Sequence, residues 1–248
     1  ELVWMTYSIA NSLSVSFIGL GLEVLSGQEA NVDGRFLVLY LVSGTLVWRS
    51  LTTVFYWINE VISIERWDGT LEYTLMAPVR RGVHMAGQTI FAVFYSLFFT
   101  GVILVVTVLV FDLDMSQANL AGGLVMLIAG SFSFIGISIM VSVLPLLFPE
   151  RGAQMTHIVI ALLLLVSGVY YPIEVLPKSL QVFGVVSPAT YVLDGVRLTL
   201  LEGTPTNQLW PQIWPVLLMG GVLIPLGLWV FNLAERYAKR TGKLARNG

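Results

Sequence analysis

Five long apolar stretches, with a sixth and more polar one near the start, fill most of the 248 residues of this chain. A helix needs roughly 20 mostly apolar residues to cross a hydrocarbon core about 30 Å thick. A membrane strand would show alternating segments of about 10 residues, and these runs do not alternate. Hydrophobic residues make up 56% of the chain and charged residues only 11%, whereas soluble domains carry about 25% charged residues. The composition therefore describes an all-α polytopic membrane protein.

Apolar length and flanking breakers place six transmembrane helices at about Trp4 to Leu25, Phe36 to Ile62, Met85 to Phe111, Leu120 to Phe148, Thr156 to Tyr171 and Ile213 to Leu233. The first is polar for a span, with Asn11, Ser12, Ser14, Ser16 and Glu23, and suits a helix facing protein or a polar cavity. Lys and Arg in short flanks are retained on the cytoplasmic side. One side holds nine of them (Arg66, Arg80, Arg81, Arg151, Arg236, Lys239, Arg240, Lys243 and Arg246) and the other holds three, Arg35, Lys178 and Arg197. Both termini are thus expected in the cytoplasm of a multi-pass protein of the cell (inner or plasma) membrane. The connections are too short for a soluble domain, so residues 1–248 read as a single transmembrane domain. The chain opens at Glu1 without Met, and an N-terminal segment is expected before it.

The chain has no Cys, which excludes a disulfide framework and a thiolate metal site, and the two isolated His residues, His84 and His157, do not make a metal cluster. A net charge of -2 gives no reason to expect nucleic acid as a partner. No internal repeat is visible, which weakens the secondary-transporter architectures built from repeated halves.

Two polar signatures interrupt the apolar runs. After span two comes Glu65-Arg66-Trp67-Asp68-Gly69-Thr70-Leu71-Glu72. Asp68-Gly69 reads as a helix start, with Asp68 capping free N–H groups and Glu72 in the first turn at the positive end of the dipole. Pro78 closes this short helix, and Leu71 and Leu75 share one side of it. By itself it reads equally well as an interfacial helix that turns the chain or as an object for another protein to grip.

The second signature runs from Tyr171 to Arg197. Span five is short, about 16 residues, and ends in Ser167-Gly168-Val169-Tyr170-Tyr171-Pro172. Glu174, Pro177, Lys178, Pro188, Thr190, Tyr191, Asp194 and Arg197 follow, with apolar Leu180 to Val186 between prolines. This pattern predicts an outer re-entrant helical hairpin between spans five and six, whose broken backbone must be buried in protein or line a wet cavity.

The first segment resembles the type-2 ABC-transporter permease family, whose members carry Glu-Arg-x-x-Gly-Thr-Leu-Glu-x-Leu and then a Pro directly after their second span. Here the final Leu is displaced by one place, to Leu75. The second segment is similar too. The family shows Ser-Gly, aromatic-Pro, Leu-Pro and a later Pro-x-Thr-Tyr followed by Asp and Arg. This chain has Ser167-Gly168, Tyr171-Pro172, Leu176-Pro177, Pro188-Ala189-Thr190-Tyr191, Asp194 and Arg197. The resemblance runs over about Phe36 to Leu233 and implies that 1–248 is a permease domain. It implies that Glu65, Arg66, Asp68, Gly69, Thr70, Leu71 and Glu72 form the coupling helix that docks into an ATP-binding cassette subunit. Such exposed ion pairs are worth only about 0 to 1 kcal/mol each and would set fit and register. It also implies that Tyr171, Pro172, Glu174, Pro177, Tyr191, Asp194 and Arg197 belong to an outer gate. Asp194 and Arg197, three apart on one helical face, have pairing with each other as the plainer account.

On span two, Thr45, Arg49, Thr52, Tyr56, Asn59 and Ser63 recur at spacings of 4, 3, 4, 3 and 4. A charge near mid-span costs about 2.5 to 3.5 kcal/mol on insertion scales, so Arg49 should face protein, water or a counter-charge such as Glu23 or Glu60. Arg49, Thr52, Tyr56 and Asn59 are candidates for a translocation path, with Trp48, Tyr56 and Trp57 offering aromatic surface to an amphiphile. The bland alternative is that Thr, Tyr and Asn glue helices together, at about 0.6 kcal/mol each. The cluster Phe91, Phe94, Tyr95, Phe98 and Phe99 reads as packing or lipid contact. Gly122, Gly123, Gly130, Ser133 and Gly136 allow close helix approach.

No Gly-x-x-x-x-Gly-Lys-Ser/Thr sequence occurs, and Gly242-Lys243-Leu244 lacks the rest of it. No catalytic or metal constellation appears either, so no enzyme activity and no cofactor are expected in this chain; ATP and Mg would belong to the partner subunit. The resemblance implies the membrane subunit of an exporter, two permease copies (a homodimer) working with two ATP-binding chains in the lipid bilayer. The aromatic, sparsely charged path favours a drug-like or lipid amphiphile as substrate. A polysaccharide or wall-polymer exporter is the alternative within the family. An ion-coupled secondary transporter is the alternative outside it, with Glu23 or Glu60 essential and Glu65 and Glu72 dispensable.

Overall fold

In the computed structural model the described residues are 34–69, 73, 81–113, 115–148, 150–170, 173 and 176–241. Among them there are helices and no strand. The apolar runs become α1 (Gly34–Trp67), α2 (Arg81–Phe111), α3 (Leu120–Val141), α4 (Val143–Leu147), α5 (Gly152–Val166), α6 (Lys178–Val186), α7 (Pro188–Leu201) and α8 (Trp210–Arg240). Among the described residues, three segments are long and apolar enough to cross a membrane: Ala86–Phe111, Leu120–Leu147 and Trp210–Arg240. α1 is one continuous helix of 34 residues whose apolar run is interrupted by polar residues, and α5 is a shorter apolar helix of 15 residues. The expected first span, Trp4 to Leu25, lies outside the described residues.

α3 stands at the centre, against α8, α1 and α7, while α1 packs in turn on α2 and α7. Lipid tails are as apolar as Leu, so helices in a bilayer associate through close packing and interhelical hydrogen bonds. α3 is built for the first, burying Gly122, Gly123, Ala129, Gly130, Ser131, Ser133, Gly136 and Ser138. At its crossing with α8 a Cβ on Gly136 would lie 2.6 Å from Leu223, and one on Gly227 would lie 2.7 Å from the Gly136 carbonyl. Only glycine fits both places. The larger members of the central core, Leu51, Phe55, Met126, Phe134, Leu193 and Leu209, fill the space between α1, α3, α7 and the start of α8.

Hydrogen bonds do the rest. Ser50 and Ser96 join α1 to α2, with Oγ to Oγ at 2.8 Å. Ser138 on α3 donates to the Phe55 carbonyl on α1 at 2.9 Å, and Ser133 donates to the Val216 carbonyl on α8. Asn119 caps α3 by accepting from the Gly122 amide at 2.9 Å, while its Nδ2 donates to the Thr204 carbonyl at 2.9 Å and to the Thr206 hydroxyl at 3.0 Å. One side chain thereby ties the start of α3 to the turn that leads into α8.

Span four was expected as one helix to Phe148, but the helix breaks at Ser142. Pro145 has no N–H to give the Val141 carbonyl, and the interrupted ladder restarts as α4. Helices α5, α6 and α7 take up the expected fifth span and the hairpin after it, with Ser167 to Tyr170 as non-helical chain between.

Much of the described surface is apolar. Phe94 and Phe98 on α2, Leu162 on α5, Phe183 on α6 and Leu218, Val222 and Trp229 on α8 are all more than half exposed. In water so wide an apolar surface would drive aggregation, whereas in lipid it is the outer wall of a bundle.

Candidate functional site

α1 carries most of the site. Its residues Arg49, Thr52, Thr53, Tyr56, Trp57, Glu60 and Ile64 form one wall of a cavity of about 350 Å³. Tyr95 of α2 closes one side, and His157 and Ile160 of α5 close the other. Three of the four residues read as a path, Arg49, Thr52 and Tyr56, border this space. The fourth does not. Asn59 is 3% exposed, and its Nδ2 donates to the Phe55 carbonyl and to the Ser138 hydroxyl, both at 2.8 Å. It is one of the polar links between α1 and α3. Thr45 is buried as well, its hydroxyl donating to the Val42 carbonyl at 2.9 Å. The polar stripe read from the sequence therefore divides into a cavity half and a packing half.

Glu60, weighed in the sequence as a counter-charge for Arg49 and as the essential carboxylate of an ion-coupled alternative, is a wall residue of the cavity. Its carboxylate lies one turn from Tyr56 and acts on that phenol through its charge. Trp57 meets Tyr95 with ring centroids 5.2 Å apart and Phe91 at the same separation, both edge-on. Tyr95 continues the series to Phe99 at 4.3 Å. The aromatic cluster on α2, read as packing or lipid contact, thus has two sides: Phe94 and Phe98 face outward, and Tyr95 borders the cavity. Thr53, Ile64, His157 and Ile160 were not singled out at all as cavity residues. For Thr53 and Ile64 the signal was available, since both lie within one helical face of Arg49.

Beyond the cavity α1 does not stop at Ile62, where the second span was expected to end. It runs on through Glu65 and Arg66 to Trp67, the Asp68 amide still bonding the Ile64 carbonyl at 2.9 Å. Gly69 then adopts a left-handed backbone, φ 70°, which is how glycine commonly terminates a helix. Asp68-Gly69 thus closes α1; the short helix that Asp68 was read as capping falls on residues that lie, apart from Tyr73, outside the described ones. Asp68 is exposed and Glu65 is half-buried, while the Arg66 side chain is not among those described. Thr70, Leu71 and Glu72 lie outside the described residues; Tyr73, just after them, is helical and 77% exposed.

Of the residues read as an outer gate, Tyr171, Pro172 and Glu174 lie outside the described residues. Pro177 is exposed at the start of α6, Tyr191 packs on the central core, and Asp194 is exposed on α7. Arg197 reaches beyond its own helix. Its guanidinium lies 3.8 Å from the centroid of the Tyr40 ring on α1, and Nη2 donates to the Val169 carbonyl at 3.1 Å. Gly44 makes this possible. A Cβ there would sit 2.7 Å from that same carbonyl oxygen and 3.5 Å from the Arg197 nitrogen. Asp194 adds its charge to the environment of Arg197.

A family model described as ABC-2 type transporter matches residues 3–201, most of the chain. The chain belongs to this family. No curated protein matches it. It is accordingly a multi-pass membrane protein and the permease component of an ABC transporter, in a family that typically works with an ATP-binding subunit. The cavity, the end of α1 and the Arg197 junction are all features of an ABC-2 permease.

Proposed function

We propose that this permease is the transmembrane subunit of an ATP-driven exporter that moves a drug-like or lipid amphiphile out of the cytoplasm, with ATP and Mg bound by a separate ATP-binding subunit. One observation carries this reading. α1 is a single helix from the cavity wall at Arg49 to Trp67, and it delivers directly into the segment Asp68 to Glu72. A helix rises about 1.5 Å per residue, so a push at Trp67 acts about 27 Å away on Arg49 with no joint between. Closure of the ATP-binding partners on residues 65–72 then tilts α1 and reshapes the cavity.

In the same reading the permease works as a homodimer in the cell membrane, with six spans, both termini in the cytoplasm and the helices α6 and α7 as a re-entrant outer gate. The cavity falls in the drug-sized range of about 300 to 1,000 Å³, and its mixture of rings and few charges suits an amphiphile. Affinity purification of a tagged permease from its own host tests the reading. The ATP-binding subunit is expected to come down with it, and Glu72→Lys is expected to lower the yield of that subunit while the permease is recovered as before. Recovery of no ATPase, or transport in proteoliposomes that runs on an ion gradient and ignores ATP, would refute it.

A further inference from the structure

The cavity wall has an unusual hydrogen-bond inventory. Thr52 donates its hydroxyl hydrogen to the Trp48 carbonyl at 2.7 Å, and Thr53 donates to the Arg49 carbonyl at 2.7 Å. Both hydrogens are spent within α1, so each threonine offers a ligand only lone pairs. Tyr56 lies one turn before Glu60 on α1, within reach of its charge. His157 Nδ1 faces the Ala153 carbonyl at 2.7 Å, and since a carbonyl cannot donate, Nδ1 carries the hydrogen and Nε2 of the neutral ring is an acceptor. The charged groups facing the space are Arg49 and Glu60. They stand three turns apart on α1, about 16 Å along its axis. At the Glu60 end the space is bordered by a carboxylate and by the rings of Trp57 and Tyr95.

Acceptors, a carboxylate and aromatic rings together recognise a cation. A ligand cation is drawn by ring quadrupoles, most strongly by Trp, and a ligand N–H finds partners on this wall that an anion does not. Resting on the exporter reading of the cavity, we propose that its Glu60 end binds the positively charged, N–H-bearing head of an amphiphile, and that the substrate class is an organic ammonium-type cation. Ile64 and Ile160 flank the same space and take the apolar body.

The test is direct binding to the purified permease in phosphatidylcholine nanodiscs, followed by fluorescence anisotropy. Rhodamine 6G, a lipophilic cation with two N–H groups, is compared with the anionic dye anilinonaphthalene sulfonate. Rhodamine 6G is expected to bind at least about tenfold more tightly than the anion, and Glu60→Gln to remove about that factor for the cation alone. Glu60→Asp, which keeps the charge, is expected to retain the preference, and this rescue separates recognition from any general loss of fold. Equal affinity for the two dyes overturns the proposal, as does cation binding that Glu60→Gln leaves within about twofold. Glu60-dependent cation binding by a permease whose transport ignores ATP would leave this site standing and remove the exporter reading. ATP-driven transport of an anion, indifferent to Glu60, would do the reverse.

Discussion

Asn59 and Glu60 are neighbours in the chain with opposite uses. At about 100° per residue, Glu60 lies only about 20° around α1 from Arg49, whereas Asn59 lies about 80° away on the other side. The sequence stripe, chosen by polarity at spacings of three and four, was centred too far toward Asn59. Polarity alone does not separate a side chain that faces a cavity from one that clasps another helix, and the arbiter is the partner, Ser138, which is 79 residues away. Asn59→Leu removes two donated hydrogen bonds and is expected to cost about 1 kcal/mol, in the range measured for such links in membranes. Asn59→Asp should cost more, about 2 to 3 kcal/mol, because a carboxylate cannot donate to the Phe55 carbonyl and sits where water is excluded. Thermal unfolding in detergent micelles checks the order. Equal midpoints for wild type and both variants would show that Asn59 does not hold α1 to α3.

Among the elements, helix ends were harder to read than helix interiors. The break at Ser142 follows from Pro145, but a hydropathy run passes over it because Val143, Leu144, Leu146 and Leu147 are as apolar as what precedes them. At Asp68-Gly69 the residues that favour the start of one helix also favour the end of another, and the left-handed Gly69 shows that α1 ends there. The Arg197 junction involves three elements far apart in sequence: α1 through Tyr40 and Gly44, the chain after α5 through Val169, and α7. Its sequence signal is weak, a glycine in an apolar run. Gly44→Val places carbon where the Val169 carbonyl now lies, and overpacking of this kind costs about 1 to 3 kcal/mol. Displacement of that carbonyl takes the acceptor from Arg197 and loosens the turn Ser167 to Val169. Since the chain has no cysteine, a single Ser167→Cys reports on it. Ser167 is fully buried, so labelling by a soluble maleimide is expected to be slow, and to quicken when Gly44→Val is added. Unchanged labelling would show that Gly44 does not govern the junction.

The molecule as a whole is more legible than its parts. Composition dictates helices in lipid, and glycine-rich α3 dictates a tightly packed centre, because both are sums over many residues that no single misreading alters. The segment 65–72, proposed to meet an ATP-binding subunit, is legible only as a motif, since its proposed partner is another chain. Orientation is the matching large-scale prediction. Retention of Lys and Arg in the cytoplasm puts the end of α8 inside and the turn before it outside. Gln208 and Thr241 are both exposed. Gln208→Cys is expected to react with an impermeant maleimide on intact cells, whereas Thr241→Cys should react only after lysis. The opposite pattern would invert the topology.

The shortness of α5 matters for the bilayer itself. Its 15 residues rise about 22 Å, less than the hydrocarbon thickness of about 30 Å. Gly184 of α6 sits 3.1 Å, measured from its would-be Cβ, from the Val166 carbonyl that ends α5, and Phe183, Val185 and Val186 beside it are exposed. Acyl chains alongside this flank meet a ledge where those along α8 meet a full-height wall. Where α5 itself faces lipid, the neighbouring bilayer is expected to thin or bend to match it.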